Sequence, residues 1–566
     1  MNNKIFIRTI AIVFSVVFSI TLWTSCLKDL DTLPLDANKL VGEDIYKTAN
    51  GYRGVLAKCY SSLILTGQKG GDSGDGDVPG IDEGYSGYSR ALFYLQVGTT
   101  DEIVVHAGSG HGTRDMLFSN WNPSTKVVSY PYYRLYMAIG YCNEFLREST
   151  EDNLKKRGVY EDLKSEIGFY QAEARFIRAY CYSMICDLYG SAPYVDETMV
   201  LGTIPRQKTR DEIYNYVVSE GESLVSSLKT PKTNQYGRID QVAAWFLLSR
   251  VYLNAETWVG KKEYEKAYQY AKKIIDSNKY PLASDYRHIF LADNNTCSEI
   301  IWPLVQDADY AQSSAGTNFQ IKALINGPMD NFYKTGVGAR GWGNARVKQQ
   351  LVELFELSDQ TFITTDAWGD NKKDKRAQFF SVGKTKETWA AGKAFQNDFN
   401  SGYACMKWKN VTKNRAELVP GGTVYSSVDF PLFRSADAYL MGAEAILRGA
   451  SGTRGEALSY INTIRDRAYM SGAFGTGVTG RIDDNKLTLD FILDERGREL
   501  HTELTRRTDL IRFNKFTKGY NWDWKGSDGL TGNYKGKDID DKYKLFPIPQ
   551  DEFTVNPYLT QNPNYK

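Results

Sequence analysis

The chain has 566 residues, enough for one large domain or two intimate ones around a substantial core. Lys and Arg number 69 against 68 Asp and Glu, and no Lys/Arg-rich block appears, so there is no general electrostatic reason to bind nucleic acid. The outlier is aromatic content, with 38 Tyr, 26 Phe and 11 Trp, because rings fill cores and also meet ligands that have flat apolar faces.

At the amino end, Lys4 and Arg8 precede an uncharged, mostly apolar run (9–25) that stops at Thr24-Ser25-Cys26. A positive start, an apolar middle and small residues before a cut describe a secretory signal peptide. The run is shorter than the ~20 residues that span a bilayer comfortably. A cysteine directly after the small residues is the usual acceptor for bacterial lipoprotein acylation. Residues 1–25 are therefore expected to be removed, with Cys26 carrying the lipid. Each buried CH₂ contributes ~0.8 kcal/mol, so two or three acyl chains hold a water-soluble body at a membrane. The competing readings are an ordinary signal peptide with a chance cysteine, or a retained membrane helix. Cys59, Cys142, Cys181, Cys186, Cys297 and Cys405 form no CxxC pair or zinc spacing. Export permits disulfides, but a chain this large does not need them, and buried thiols are expected.

The next segments read as helices in pairs. Over 166–189, Ile167, Ala174, Ile177, Cys181, Ile185 and Leu188 recur at three- and four-residue steps, and Gly190 and Pro193 end the pattern. A second amphipathic helix covers 213–228. Segments 240–258 and 264–275, separated at Gly260, carry Ser249, Tyr252, Ala267, Ala271 and Ile274 at tetratricopeptide-like spacing. Small residues at those points let two helices approach closely. A similar pair covers 434–447 and 456–469, and a last long helix is expected over 487–513. The fold class expected is mainly α, a tetratricopeptide-like helical-pair solenoid of about four repeats, with an irregular, loop-rich ligand-binding part. The expected organisation is 26–300 as an amino-terminal helical region and 301–566 as a carboxy-terminal one.

Between the pairs, 67–88 is rich in Gly and Asp, 101–121 mixes short β-like and loop residues, and 307–342 and 368–402 are polar, Gly-rich and aromatic; long irregular stretches in a compact protein are usually functional. Asp72, Asp75, Asp77 and Asp82 crowd one Gly-rich loop and are weak calcium candidates, because Pro79 breaks the EF-hand pattern. A solvated acidic loop with no cofactor is the preferred reading. His106, His111, His288 and His501 are too scattered for a zinc site. The charges Glu495, Arg496, Glu499, Glu503, Arg506 and Arg507 fall at helical steps where they can pair with each other and tie the last helix to the scaffold. A glycosidase needs two carboxylates flanking a cleft, and the adjacent pair Asp101-Glu102 would diverge in a strand.

Five separated stretches resemble the SusD/RagB family of outer-membrane nutrient-binding lipoproteins of the Bacteroidota. They are EARFIRAYCYSMICDLYGSAP (173–193), FPLFRSADAYLMGAEAILRG (430–449), ILDERGREL (492–500), RRTDLIRFNKFT (506–517) and LFPIPQDEFTVNPYLTQNPNY (545–565). LTGQKGG (65–71), GIDEGYSGYSR (80–90) and TTDEIVV (99–105) are similar to the starch-binding branch. The resemblance implies a surface-exposed, lipid-anchored protein of the outer membrane. Such a protein captures an oligosaccharide and hands it to a SusC-like TonB-dependent transporter without cleaving it. A peptide or other nutrient is the alternative cargo, and a glycoside hydrolase the remote one. Loops pairing rings with hydrogen-bonding groups suit a sugar, which has an apolar face and a hydroxyl rim. They offer Arg90, His106, Tyr310, Arg340, Trp342 and Asn344 as ligand candidates. By resemblance, Arg90 and Trp342 fall on an arginine and a tryptophan of the starch branch's glucan arc, with Tyr310 near its tyrosine. Where that branch has a tryptophan-rich loop, this chain has Val105-His106-Ala107-Gly108, which argues against starch.

Overall fold

The computed structural model describes residues 42–67, 71, 76–105, 110–326, 329, 334–355, 374–386, 400–469, 480–527 and 534–565. Cys26, Asp72, Asp75 and His106 lie outside the described residues. The principal helices are α1 (Ala49–Ser61), α2 (Tyr88–Gln96), α3 (Lys126–Glu148), α4 (Ile167–Leu188), α5 (Arg210–Ser227), α6 (Gln241–Val259) and α7 (Tyr264–Ser277). They continue with α8 (Gly316–Leu324), α9 (Ser435–Leu447), α10 (Arg454–Ala468), α11 (Leu489–Leu500) and α12 (Arg506–Arg512). Among the short strands are β1 (Ile103–Val105), β2 (Ile300–Leu304), β3 (Ala345–Val347) and β4 (Phe430–Arg434). No helix among the described residues is long and apolar enough to cross a membrane.

Successive helices lie side by side, α3 on α4, then α5, α6, α7, α9 and α10, which is the expected helical-pair solenoid. Local chemistry sets the ends. Thr209 and Glu212 form a capping box at α5, the Asp240 carboxylate accepts the Val242 N–H at α6, and Gly260 closes α6 in the left-handed region (φ 72°). Small residues mark the crossings. Ser249 Oγ donates to the Ala267 carbonyl at 2.8 Å, and a methyl placed on Gly442 would meet the Tyr460 ring at 3.2 Å and Ala271 at 3.5 Å. All six described cysteines are free and buried.

The structure corrects three readings. The segment 307–342 is not wholly irregular, because it contains α8, every residue of which is buried. The Tyr85–Arg90 stretch is helical: Tyr85 sits in a short helix (Glu83–Ser86) and Arg90 on α2. The last long helix is two helices. Thr502 and Leu504 adopt φ of 63° and 64°, and tertiary partners hold the break: Thr502 N–H donates to Glu102 and the Trp408 indole donates to Thr502 Oγ1.

The charges of α11 and α12 find most of their partners on other elements. Arg434, at the end of β4, meets Glu299 at 2.8 Å, Glu499 at 2.7 Å and Glu503 at 2.6 Å. Arg467 reaches Glu299 and Glu499, and Arg376 joins Asp374, Glu495 and Glu499. All these groups are buried. Burial alone would raise the carboxyl pKa values of Glu495 and Glu499. The surrounding guanidiniums, led by Arg376 at Glu495 and Arg467 at Glu499, outweigh it and hold both far below the ordinary range. β2 pairs antiparallel with β4, and the boundary expected at 300/301 falls within this ladder. The carboxy-terminal tail returns to the amino-terminal half. Phe546 N–H donates to the Leu188 carbonyl and Asn562 Nδ2 to the Tyr189 carbonyl, both at 2.7 Å, and the Trp121 indole donates to the Tyr565 hydroxyl at 2.9 Å.

Asp101 and Glu102 diverge, as adjacent residues should. Asp101 is paired with Arg506 at 2.6 Å, while Glu102 accepts the Thr502 N–H at 3.0 Å and burial pushes its pKa up to about 8. Between the ordinary value of 4.5 and about 8 the folded chain keeps this proton and the unfolded chain does not, so stability falls as pH rises through that window. Glu102→Gln keeps an acceptor and removes the titration. Relative to the parent, the variant should gain at least about 1 kcal/mol in urea unfolding between pH 5 and pH 8. A constant difference across that range would contradict a protonated Glu102.

Candidate ligand-binding site

Four segments converge on one aromatic cluster: the short helix with Tyr85, α2, α8, and the loop leading into β3. Arg90 is its centre. Its guanidinium carbon lies 4.1 Å from the Tyr85 ring centroid, 4.8 Å from Phe319 and 5.9 Å from Trp342, and its Nε donates to the Tyr94 hydroxyl at 3.3 Å. The His111 ring also lies on Tyr85, 3.8 Å centroid to centroid and 8° from parallel, and its Nδ1 is 2.6 Å from the Tyr130 hydroxyl. Arg90 and His111 thus hold Tyr85 in place, making it a spacer in the layer. Burial lowers the His111 pKa, so the neutral ring is favoured.

Trp342 is the open face of the cluster, with 39% of its surface exposed. Main-chain bonds fix its position: its N–H donates to the Lys322 carbonyl and the Gly343 N–H to the Ile325 carbonyl, both at 2.6 Å. Two residues later the chain enters β3, where Ala345 pairs with Val105 of β1. From α8, Lys322 places its Nζ 5.5 Å from the Trp342 ring centroid and 6.0 Å from Tyr425. On the same helix, Asn318 is buried, and among the described residues neither of its side-chain amide atoms has a hydrogen-bond partner.

The structure therefore joins Arg90 and Trp342, two of the candidates read from sequence. Tyr310 stands on a loop turned by Asp307, whose carboxylate accepts the Asp309 and Tyr310 N–H groups at 2.8 Å; its ring is 91% exposed. Arg340 donates to the carbonyls of Val337 and Gly421 at 3.3 Å, stapling the Trp342 loop to the 421–423 turn, and Asn344 is exposed beside β3. Tyr85, Lys322 and Phe319 are the contributors not singled out individually. No local pattern singles out Lys322, because 316–324 mixes Phe319, Ile321, Ala323 and Leu324 with Thr317, Asn318 and Gln320.

Two of the acidic-loop residues already serve the fold. Asp77 pairs with buried Arg134 at 2.7 and 3.0 Å, and Asp82 caps the short helix through the Tyr85 N–H. Among the described residues no group of three or more His, Cys, Asp or Glu side chains is placed to hold a metal. A separate cleft of about 620 Å³ lies between α1, the 229–238 loop and β2, over Leu56, Tyr60 and Trp302. Its arginines Arg53 and Arg238 are paired with Glu166 and Glu173, and it shares no residue with the Trp342 cluster.

Comparison with known proteins decides the family. The SusD family model matches residues 298–565. The starch-binding protein SusD of Bacteroides thetaiotaomicron is 30% identical, over 96% of this chain and 96% of that one. The chain belongs to the SusD family. SusD-like protein P25 of Formosa agariphila is 27% identical over 69% of this chain and 71% of its own length. Among solved structures, a SusD superfamily protein from Bacteroides vulgatus superposes with a TM-score of 0.65 at 19% identity, covering 92% of this chain and 99% of that one. Surface glycan-binding protein A from Bacteroides thetaiotaomicron, solved with laminarihexaose, gives 0.64 at 18% identity, with 91% and 99% covered. These last two establish a shared fold.

Proposed function

We propose that this protein is a surface-exposed lipoprotein of the outer membrane, anchored through Cys26, that binds oligosaccharides and delivers them to a TonB-dependent transporter without cleaving them. The observation that carries the reading is the Trp342 indole, held rigidly by its main chain, open on one side and flanked by Arg90 and Lys322. An apolar ring face with hydrogen-bond donors at its edge matches a pyranose, which has a C–H face and a hydroxyl rim. The 30% identical relative is named for starch binding and a structural neighbour holds laminarihexaose, which favours sugar over peptide. The reading needs no cofactor and no catalytic carboxylate. Asp101 and Glu102 are buried, one against Arg506 and the other under Thr502. A single shallow platform binds weakly, and tethering beside a transporter raises its effective strength through local concentration. Affinity electrophoresis of the purified protein through gels containing candidate glycans, with a parallel reducing-end assay, tests the reading. Retardation with no new reducing ends is expected; the appearance of reducing ends, or retention of peptides alone, would overturn it.

A further inference from the structure

We infer that the cleft over Trp302 is a second ligand site, and that it takes a neutral, mainly aromatic small molecule offering one carbonyl oxygen. The inference stands apart from the sugar reading, because the cleft shares no residue with the Trp342 cluster. At about 620 Å³ it falls within the size range of sites that enclose small ligands. Backbone geometry shapes its walls. Gly237, in the left-handed region (φ 82°), lets the 229–238 loop close on the end of β2, where an added methyl would meet Val305 Cγ2 at 2.8 Å. On the opposite wall, α1 contributes Leu56, Ala57 and Tyr60. Trp302 lies in the floor, and the β2–β4 register is irregular on both sides of it, the kind of break that re-aims a side chain.

The polar groups around the cleft are mostly engaged with each other. Tyr60 donates to Glu173, Tyr170 to Glu166 and Tyr236 to Asp429, each at 2.5 Å, so with their hydroxyls committed the three rings offer carbon surface. Arg238 donates to Glu173 at 2.6 and 2.9 Å, and Arg53 meets Glu166 at 3.3 Å. Lys229, the remaining cation of the lining, is half-buried with its Nζ 5.5 Å from the Phe169 ring centroid. The arginines and carboxylates cancel, and one rim lysine does not repay the desolvation of an anion, so a neutral ligand fits best. One donor is left over. The Trp302 indole N–H is buried and has no acceptor among the described residues. Phe176, Tyr180 and Phe433 pack edge-on against the ring from the core, at 5.4, 5.0 and 5.3 Å, and supply none. Buried N–H groups are almost always paired, which leaves the cleft side as the source of an acceptor. A carbonyl oxygen supplies one without charge, and an aromatic ring beside it fills the space between Leu56, Tyr60 and Tyr236. A sugar suits the cleft poorly, since its hydroxyl rim needs several partners and the tyrosine hydroxyls are taken.

The test measures binding of coumarin and methyl ferulate, both neutral and both carrying a carbonyl oxygen, to the purified protein by ligand-observed NMR. Ferulate and tyramine serve as the anionic and cationic comparisons. Saturable binding of both neutral probes is expected, with a Kd of about 1 mM or tighter and about fivefold or more below that of either charged probe. Ala57→Trp, at an exposed position on the cleft wall, should weaken this binding about tenfold or more while leaving the melting temperature and glycan retardation unchanged. Trp302→Phe should weaken it about fivefold or more by removing the donor, and Ala57→Trp decides the matter if that core variant fails to fold. Absence of saturable binding by the neutral probes, or binding that survives Ala57→Trp, would overturn the inference and leave the glycan reading standing. Ferulate or tyramine bound as tightly, and lost in Ala57→Trp, would overturn the neutral class. Loss of glycan retardation in Ala57→Trp would also overturn it, by making the cleft the sugar site.

Discussion

Arg434→Met should destabilise the protein by about 3–5 kcal/mol, the cost of stranding buried carboxylates without their partner. Arg434 touches Glu299, Glu499 and Glu503, and its Nη2 also donates to the Glu499 carbonyl at 2.9 Å, so one side chain joins β4 to α11 and to the break after it. Methionine fills much of the volume but leaves three acidic groups with fewer counter-charges. The pH dependence carries the sign. Glu499, which Arg434 touches, has its folded pKa held below the ordinary 4.5, because Arg467, Arg434 and Arg376 together outweigh burial. Its contribution is present above that value and is lost as pH falls beneath it. In Arg434→Met the stranded carboxyls take up protons more readily, so the deficit in urea midpoint should be larger at pH 8 than at pH 4. A deficit below about 1 kcal/mol at pH 8 would show that Arg467, Arg376 and Lys407, whose Nζ meets Glu503 at 2.7 Å, compensate fully and that the network is redundant.

Trp342→Ala should reduce glycan affinity at least tenfold, about 1.4 kcal/mol or more, while moving the thermal midpoint by less than about 2 °C. The indole rests on Phe319 at 6.3 Å and on two cations, and much of it faces solvent, so its removal opens no core cavity. Tyr310→Ala supplies the comparison, because that ring is almost wholly exposed and its loss should leave the melting profile unchanged. A large fall in melting temperature for Trp342→Ala would place the ring in the core instead.

The parts of this fold legible in sequence are those where local and tertiary demands agree. α4 to α7, α9 and α10 carry helical periodicity with residues at their ends that suit the break, and they were located to within a few residues. α3 was not read, because Pro131 interrupts a segment crowded with tyrosines. α8 is short, mixes Thr317, Asn318, Gln320 and Lys322 with its apolar residues, and has no side-chain cap at its start, so its nine residues read as loop although all of them are buried. The break between α11 and α12 depends on Glu102 and Trp408, which lie hundreds of residues and about a hundred residues away, and no local pattern encodes it. At the site, resemblance located Arg90 and Trp342, but residue type could not show that Tyr85 would be a spacer with Arg90 and His111 on its ring. Nor could it show that Lys322 would reach the same indole from a buried helix.

The tail that folds back onto Leu188, Tyr189 and Trp121 sets a timetable for the molecule's assembly. The partners are 373 and 444 positions apart for Asn562 with Tyr189 and for Tyr565 with Trp121, and contacts this distant along the chain form late. Until they do, the helices of the front half lack the segment that seals them, so a chain cleaved ahead of Phe546 would keep its local helices and lose that closure.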